Sequence, residues 1–191
     1  GVPGYQPPQQ LVAFERAMTL RPAAIFFVAT GREQDRSAFY LAEAVRKGID
    51  VPYPRLREIV QQSGATPDMN EAEATKALLP FGRDIAAFVY AEIATKARAA
   101  GVKPVWVFLP QVSPGTWEKA TPEAEALARE AGFAIINLSD VYSASPVEQV
   151  RLAEWDDHPN ARGHQLVAEA LATRLAAQAD EIFVQAKQEQ P

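Results

Sequence analysis

"KPVWVFLP", residues 103–110, is apolar at every position from Pro104 to Pro110 and is bounded by Gly101 on one side and by Ser113-Pro114-Gly115 on the other. A strand with one face in water alternates polar and apolar residues, whereas an unbroken apolar run between turn signals suits a strand buried on both faces. "AAIFFVA" (23–29) and "FAIINL" (133–138) read the same way. Helical patterns separate the three. Pro7-Pro8 lead into "QQLVAFERAMTL", where Leu11, Phe14, Ala17 and Met18 recur at helical spacing. Further helices are predicted over about 35–47, closed by Gly48, and over 53–64. A long helical pattern runs from Asn70 to Ala100, started by the capping signal "NEAE" and interrupted by Pro80 and Gly82, so a kink or two helices is expected. "TPEAEALAREAG" (121–132) predicts another helix, with Thr121 as N-cap and Pro122 in its first position. "SPVEQVRLA" predicts a helical turn or two, and a long helix follows from Asn160.

Apolar strands alternating with helices predict an α/β fold, a three-layer sandwich whose mostly parallel sheet is flanked by helices in the flavodoxin-like manner. The strands would end near Thr30, Pro110 and Ser139, and the loops beyond those ends would line the ligand crevice. Three strands make a thin sheet for such a fold. The opening residues "GVPGYQPPQQL" lack a starting Met and read like the interior of a domain, so an N-terminal strand is expected upstream. Residues 1–178 are assigned to the α/β domain and 179–191 to a C-terminal helical tail, whose Ile182, Phe183 and Val184 are available for docking on a partner.

Composition sets limits. A net charge of −5 without a Lys/Arg stripe gives no electrostatic footprint for nucleic acid. With no cysteine there is no disulfide framework, no thiolate zinc site and no thiol nucleophile. No apolar run approaches bilayer-spanning length, and no signal peptide is visible.

The chemistry gathers in "EWDDHPNARGHQLVAEAL" (154–171), which holds the chain's two histidines, His158 and His164. In extended chain, residues two apart point to the same side, so Asp156 reaches the His158 imidazole more naturally than Asp157 does. A carboxylate on one ring nitrogen fixes the tautomer and leaves the other nitrogen to take a proton. Pro159 stiffens the chain after the histidine, and Asn160 suits the N-cap of the following helix. The plainer alternative is a polar loop with a helix cap. His164, six residues on, is expected to be structural and to hydrogen-bond a loop carbonyl. A metal site from the two histidines and Asp156-Asp157 matches no spacing with a mechanical basis. Trp106, Phe108 and Phe133 read as core, while Trp117 and Tyr142 line a pocket or cover the sheet edge.

"DDHPNARGHQLVAEAL" resembles the closing block of the SGNH (GDSL-like) hydrolase superfamily, in which an aspartate and a histidine precede Pro-Asn and a Gly-His step opens the last helix. The likeness continues in order along residues 1 to about 178. "GVPGY" resembles the loop whose second glycine donates a backbone N–H to the oxyanion, a role that would fall to Gly4. "AAIFFVATGREQDR", "PVWVFLP" and "FAIINLSDVY" resemble later strands, and residues 35–100 are looser.

The chain departs from the family at three places. It contains no Gly-Asp-Ser nucleophile motif, and none of Ser37, Ser63, Ser113, Ser139, Ser143 and Ser145 is flanked as that serine would be. The simplest account is that the nucleophile, with its strand, lies upstream; the alternative is a protein that has lost its serine. The oxyanion-hole asparagine is also absent from "GREQ" (31–34), where Gln34 or Arg32 could donate instead and Glu33 would repel an oxyanion; otherwise "GREQDR" is a solvated turn. Finally, Trp155 stands where the family most often has its aspartate, which leaves Asp156, with Asp157 as the fallback.

The resemblance implies a serine ester hydrolase acting on acyl or acetyl esters of lipid or glycan. Its catalytic residues would be His158, Asp156 and Gly4, it would need no metal or cofactor, and its setting would be periplasmic or extracytoplasmic with any membrane tether upstream. Two other readings stand beside it: a non-catalytic SGNH-like binding or structural subunit of a larger assembly, and a carbohydrate-binding domain.

Overall fold

The computed structural model describes residues 5–113 and 117–183. It is α/β, about 60% helix with a small parallel sheet. Strands β1 (Ala24–Ala29), β2 (Lys103–Phe108) and β3 (Ala134–Asn137) lie side by side in the order β1-β2-β3. Ala24 pairs with Lys103 and Ala29 with Phe108, while Val105 pairs with Ala134.

The two sides of the sheet bury different clusters. Phe27, Ala29, Trp106 and Phe108 join the larger one, with Leu11 and Phe14 of α1 (Pro7–Met18), Leu41 of α2 (Glu33–Arg46), Leu56 of α3 (Pro54–Ser63) and Ile85, Val89 and Tyr90 of α5 (Gly82–Ala99). Leu127 of α6 (Trp117–Ala131) packs there too. Aromatic edges meet faces inside it: Phe27 and Tyr90 lie 5.0 Å apart, Tyr90 and Phe133 5.8 Å. Trp106 Nε1 donates to Tyr90 Oη at 3.1 Å, which satisfies the buried indole N–H. Val105, Val107, Ala134 and Ile136 point the other way, against Val167, Leu171 and Leu175 of α8 (Ala161–Ala177) and Ile182 of α9 (Ala179–Phe183). Ile182 is therefore committed to the core and is not available to a partner; Val184 lies outside the described residues.

Strand β1 departs from the buried-on-both-faces expectation. Its odd-numbered side chains are covered, but Phe26 and Val28 are 40% and 47% exposed. The backbone explains which groups are left over. Lys103 N donates to Ala23 O and Leu109 N to Ala29 O, so odd-numbered peptide groups face β2 and those of Ala24, Phe26 and Val28 face the open edge. A groove of about 270 Å³ runs along this strand, lined in part by Ala13, Phe14, Phe26 and Val28.

The interrupted 70–100 segment is two helices. Asn70 Oδ1 accepts the Glu73 N–H and Glu73 Oε2 accepts the Asn70 N–H, both at 3.0 Å, to start α4 (Glu71–Leu78). A single 3₁₀ turn over Leu79–Phe81 places Pro80 before α5 begins. Gly82 is required there, because a Cβ would meet the Gln34 carbonyl oxygen at 2.6 Å. Helix α6 starts at Trp117, five residues before the first helical position read from the sequence, so Thr121 and Pro122 lie within it rather than at its start. Among the described residues, no helix is long and apolar enough to cross a membrane.

Candidate functional site

The 151–159 region is a hairpin where the sequence suggests a loop. After the single turn α7 (Val147–Val150), β4 (Arg151–Ala153) pairs antiparallel with β5 (Asp156–Pro159), with Ala153 opposite Asp156 and Arg151 opposite Pro159. The pairing is irregular between those two contacts. Few residues here favour strand; the hairpin is held from its C-terminal side, by the start of α8. Asn160 Oδ1 accepts the Gly163 N–H at 3.1 Å and caps that helix. Its Nδ2 donates to Gln149 O and Arg151 O, both at 3.1 Å, and its own N–H donates to Val150 O at 2.8 Å. One asparagine thus ties the first turn of α8 to both α7 and β4. Gly163 makes that closeness possible: a Cβ would lie 2.7 Å from Pro159 Cβ and 2.7 Å from Val150 O.

On this clamp Asp156 and His158 come together. Asp156 Oδ1 lies 2.5 Å from His158 Nδ1 and also accepts the His158 backbone N–H at 3.0 Å. The carboxylate is held by the main chain of the residue whose ring it touches. These contacts, the backbone N–H first and the ring second, keep the Asp156 carboxyl below its ordinary pKa. An ionised acceptor at Nδ1 selects the tautomer with the proton on that nitrogen and leaves Nε2 with a free lone pair. The ring is open to solvent, its side chain 81% exposed.

Asp157 is engaged elsewhere. Its Oδ1 accepts from Ser113 Oγ at 2.7 Å and pairs with Arg151 Nη1 at 3.6 Å, and its carbonyl accepts the Val112 N–H at 3.3 Å. Through Asp157 the hairpin is fastened to the loop beyond the carboxyl end of β2. Val112, Tyr142 and Val150 form a small apolar cluster with Leu166 and Val167, in which Tyr142 is buried. Gly4 lies outside the described residues, and so does the side chain of Trp117. His164 is exposed on α8 and makes no side-chain hydrogen bond among the described residues, so the loop-carbonyl bond read from the sequence is not formed. No group of three or more His, Asp or Glu side chains among them is arranged to hold a metal.

The loop beyond β1 holds a residue whose role the sequence reading misjudged. Glu33 is only 6% exposed, and its carboxylate accepts the backbone N–H of Thr30 and, at 3.0 Å, that of Gly31. It therefore braces its own loop from inside. Burial raises its pKa despite these bonds. The signal was there in retrospect: a turn with Gly31 at φ 82° exposes amides that need an acceptor, and Glu33 is within reach.

No protein-family model matches this chain, and neither a curated protein nor a solved structure matches it.

Proposed function

We propose that this chain is the larger part of an SGNH-type serine ester hydrolase. In this reading His158 is the proton acceptor, Asp156 is its orienting carboxylate, and the nucleophilic serine comes from a strand upstream of Gly1. The observation that carries the reading is the 2.5 Å contact between Asp156 Oδ1 and His158 Nδ1, with the rest of the ring open to a reactant. Nε2 takes the serine proton as the hydroxyl attacks the ester carbonyl, and Asp156 stabilises the imidazolium that results. Nε2 then returns the proton to the leaving alkoxide. Gly4 would offer its N–H to the oxyanion.

The open edge of β1 supports the same reading at the level of fold. Outward peptide groups at Ala24, Phe26 and Val28, beside the exposed Phe26 and Val28 side chains, suit a further strand. With it the domain becomes the three-layer, flavodoxin-like sandwich. On this reading the protein acts outside the cytoplasm, in a periplasmic setting, and needs no metal or cofactor.

The position of Glu33 favours a second reading, a non-catalytic SGNH-like subunit. Its carboxylate occupies the Thr30 and Gly31 amides in the loop where the family supplies an oxyanion donor. A serine-directed fluorophosphonate separates the two. Full-length protein is expected to be labelled and the His158→Ala variant to resist labelling. An unlabelled wild type indicates the subunit, and a labelled H158A protein ends the assignment of His158.

A further inference from the structure

Between α1 and α2 the surface opens into a cavity of about 400 Å³ that shares no residue with the Asp156–His158 pair. Gln9, Val12, Ala13 and Arg16 line it from α1, Tyr40 from α2, and Tyr5 from the residues leading into α1. The four α1 residues stand at positions i, i+3, i+4 and i+7, which is one face of a helix. Leu11 and Phe14 take the opposite face into the core. Independently of the hydrolase reading, we propose that this cavity binds a small organic monocarboxylate. The carboxylate would sit on Arg16 and the apolar body against Val12, Ala13 and the two tyrosine rings.

The disposition of charge selects that chemistry. Among the described residues the exposed Arg16 guanidinium has no ion pair, because the carboxylates beside it are engaged elsewhere. Glu15 holds Lys96 Nζ at 2.9 Å, and Glu43, one turn beyond Tyr40, holds Lys47 Nζ at 2.6 Å. No acidic side chain lines the cavity. Gln9 Oε1 accepts the Gln6 N–H at 2.9 Å, so what Gln9 has left to offer is its amide N–H₂. Burial first, then Glu43 and Tyr5, raises the Tyr40 pKa, and its hydroxyl keeps a proton to donate. Every polar group of the lining can therefore donate, and one of them is charged. That set calls for an acceptor bearing one negative charge, and a planar carboxylate matches the fork of the guanidinium. A phosphate dianion would bring a second charge with no second cation in the lining. The larger cleft of about 570 Å³ beside α6 lacks this property, since Glu125 occupies Arg129 there at 2.7 Å.

The test titrates the full-length protein with 3-phenylpropionate, and separately with the neutral 3-phenylpropanol, by saturation-transfer NMR. Wild type is compared with Arg16→Gln, Arg16→Lys and Tyr40→Phe. Saturable binding of the carboxylate is expected, weakened about tenfold in R16Q and less in R16K, which keeps the charge but not the fork. Y40F should weaken it about threefold through loss of one donor, and the alcohol should bind wild type about tenfold more weakly than the carboxylate. Arg16 is exposed, so R16Q should keep the wild-type Tm, which separates lost binding from lost fold. Equal affinity of wild type and R16Q, equal affinity of carboxylate and alcohol, or no saturable binding overturns the site. Displacement of the carboxylate by an equal concentration of inorganic phosphate overturns the monocarboxylate in favour of a phosphate ligand.

Discussion

Gly163→Ala sets two opposing effects against each other at the clamp that seats the hairpin. Gly163 lies in the first turn of α8, where alanine would favour helix by up to about 1 kcal/mol over glycine. The added methyl would sit 2.7 Å from both Pro159 Cβ and Val150 O. Neither neighbour can swing aside. Pro159 is a ring within β5, and Val150 O is held by the Asn160 N–H at 2.8 Å. Overpacking that must move backbone costs about 1–3 kcal/mol, so the net effect is a loss of roughly 1 kcal/mol. In a chain of this size that lowers Tm by about 2–4 °C. Relief by displacing Val150 O also loosens the Asn160 cap and the hairpin carrying His158, so fluorophosphonate labelling of full-length G163A should slow as well. Urea unfolding at constant m-value gives the stability term. A G163A protein more stable than wild type by the full helix-propensity gain would refute the close approach.

Two further outcomes are expected. Tyr90→Phe strands the buried Trp106 N–H and should destabilise by about 1–3 kcal/mol in urea unfolding, with part of the loss recovered when Trp106 is also replaced by Phe. Glu33 has a folded pKa above its unfolded value, so the folded state holds its proton more tightly. Its burial penalty is absent below the ordinary glutamate range and grows as pH rises through that range to the raised folded value. Unfolding measured across this window should show E33Q losing less stability than wild type as pH rises; identical slopes would exclude Glu33 as the source.

The three strands and most helices were legible because their signals are local. Unbroken apolar runs gave β1, β2 and β3, and the reciprocal Asn70–Glu73 pair marked its own helix start. The hairpin was not legible, since "RLA" and "DDHP" carry little strand preference and are held together by Asn160 and Asp157 from outside. The alternation that brings Asp156 rather than Asp157 to the ring is a backbone property and was readable from spacing. The inward turn of Glu33 was not, because a carboxylate in a polar turn reads as solvated until the amides beside it are seen to lack any other acceptor. The exposed side of β1 was hidden for a different reason: an apolar run reports what a strand demands of its neighbours, not whether they are there.

That last point bears on how the polypeptide must be handled. Among the described residues, Ala24, Phe26 and Val28 form a sticky seam, with unspent main-chain donors and acceptors next to greasy side chains. At high concentration this edge should zip against copies of itself. A strand supplied along that edge would shield the seam, so monodispersity with and without one reports how strongly the edge pairs.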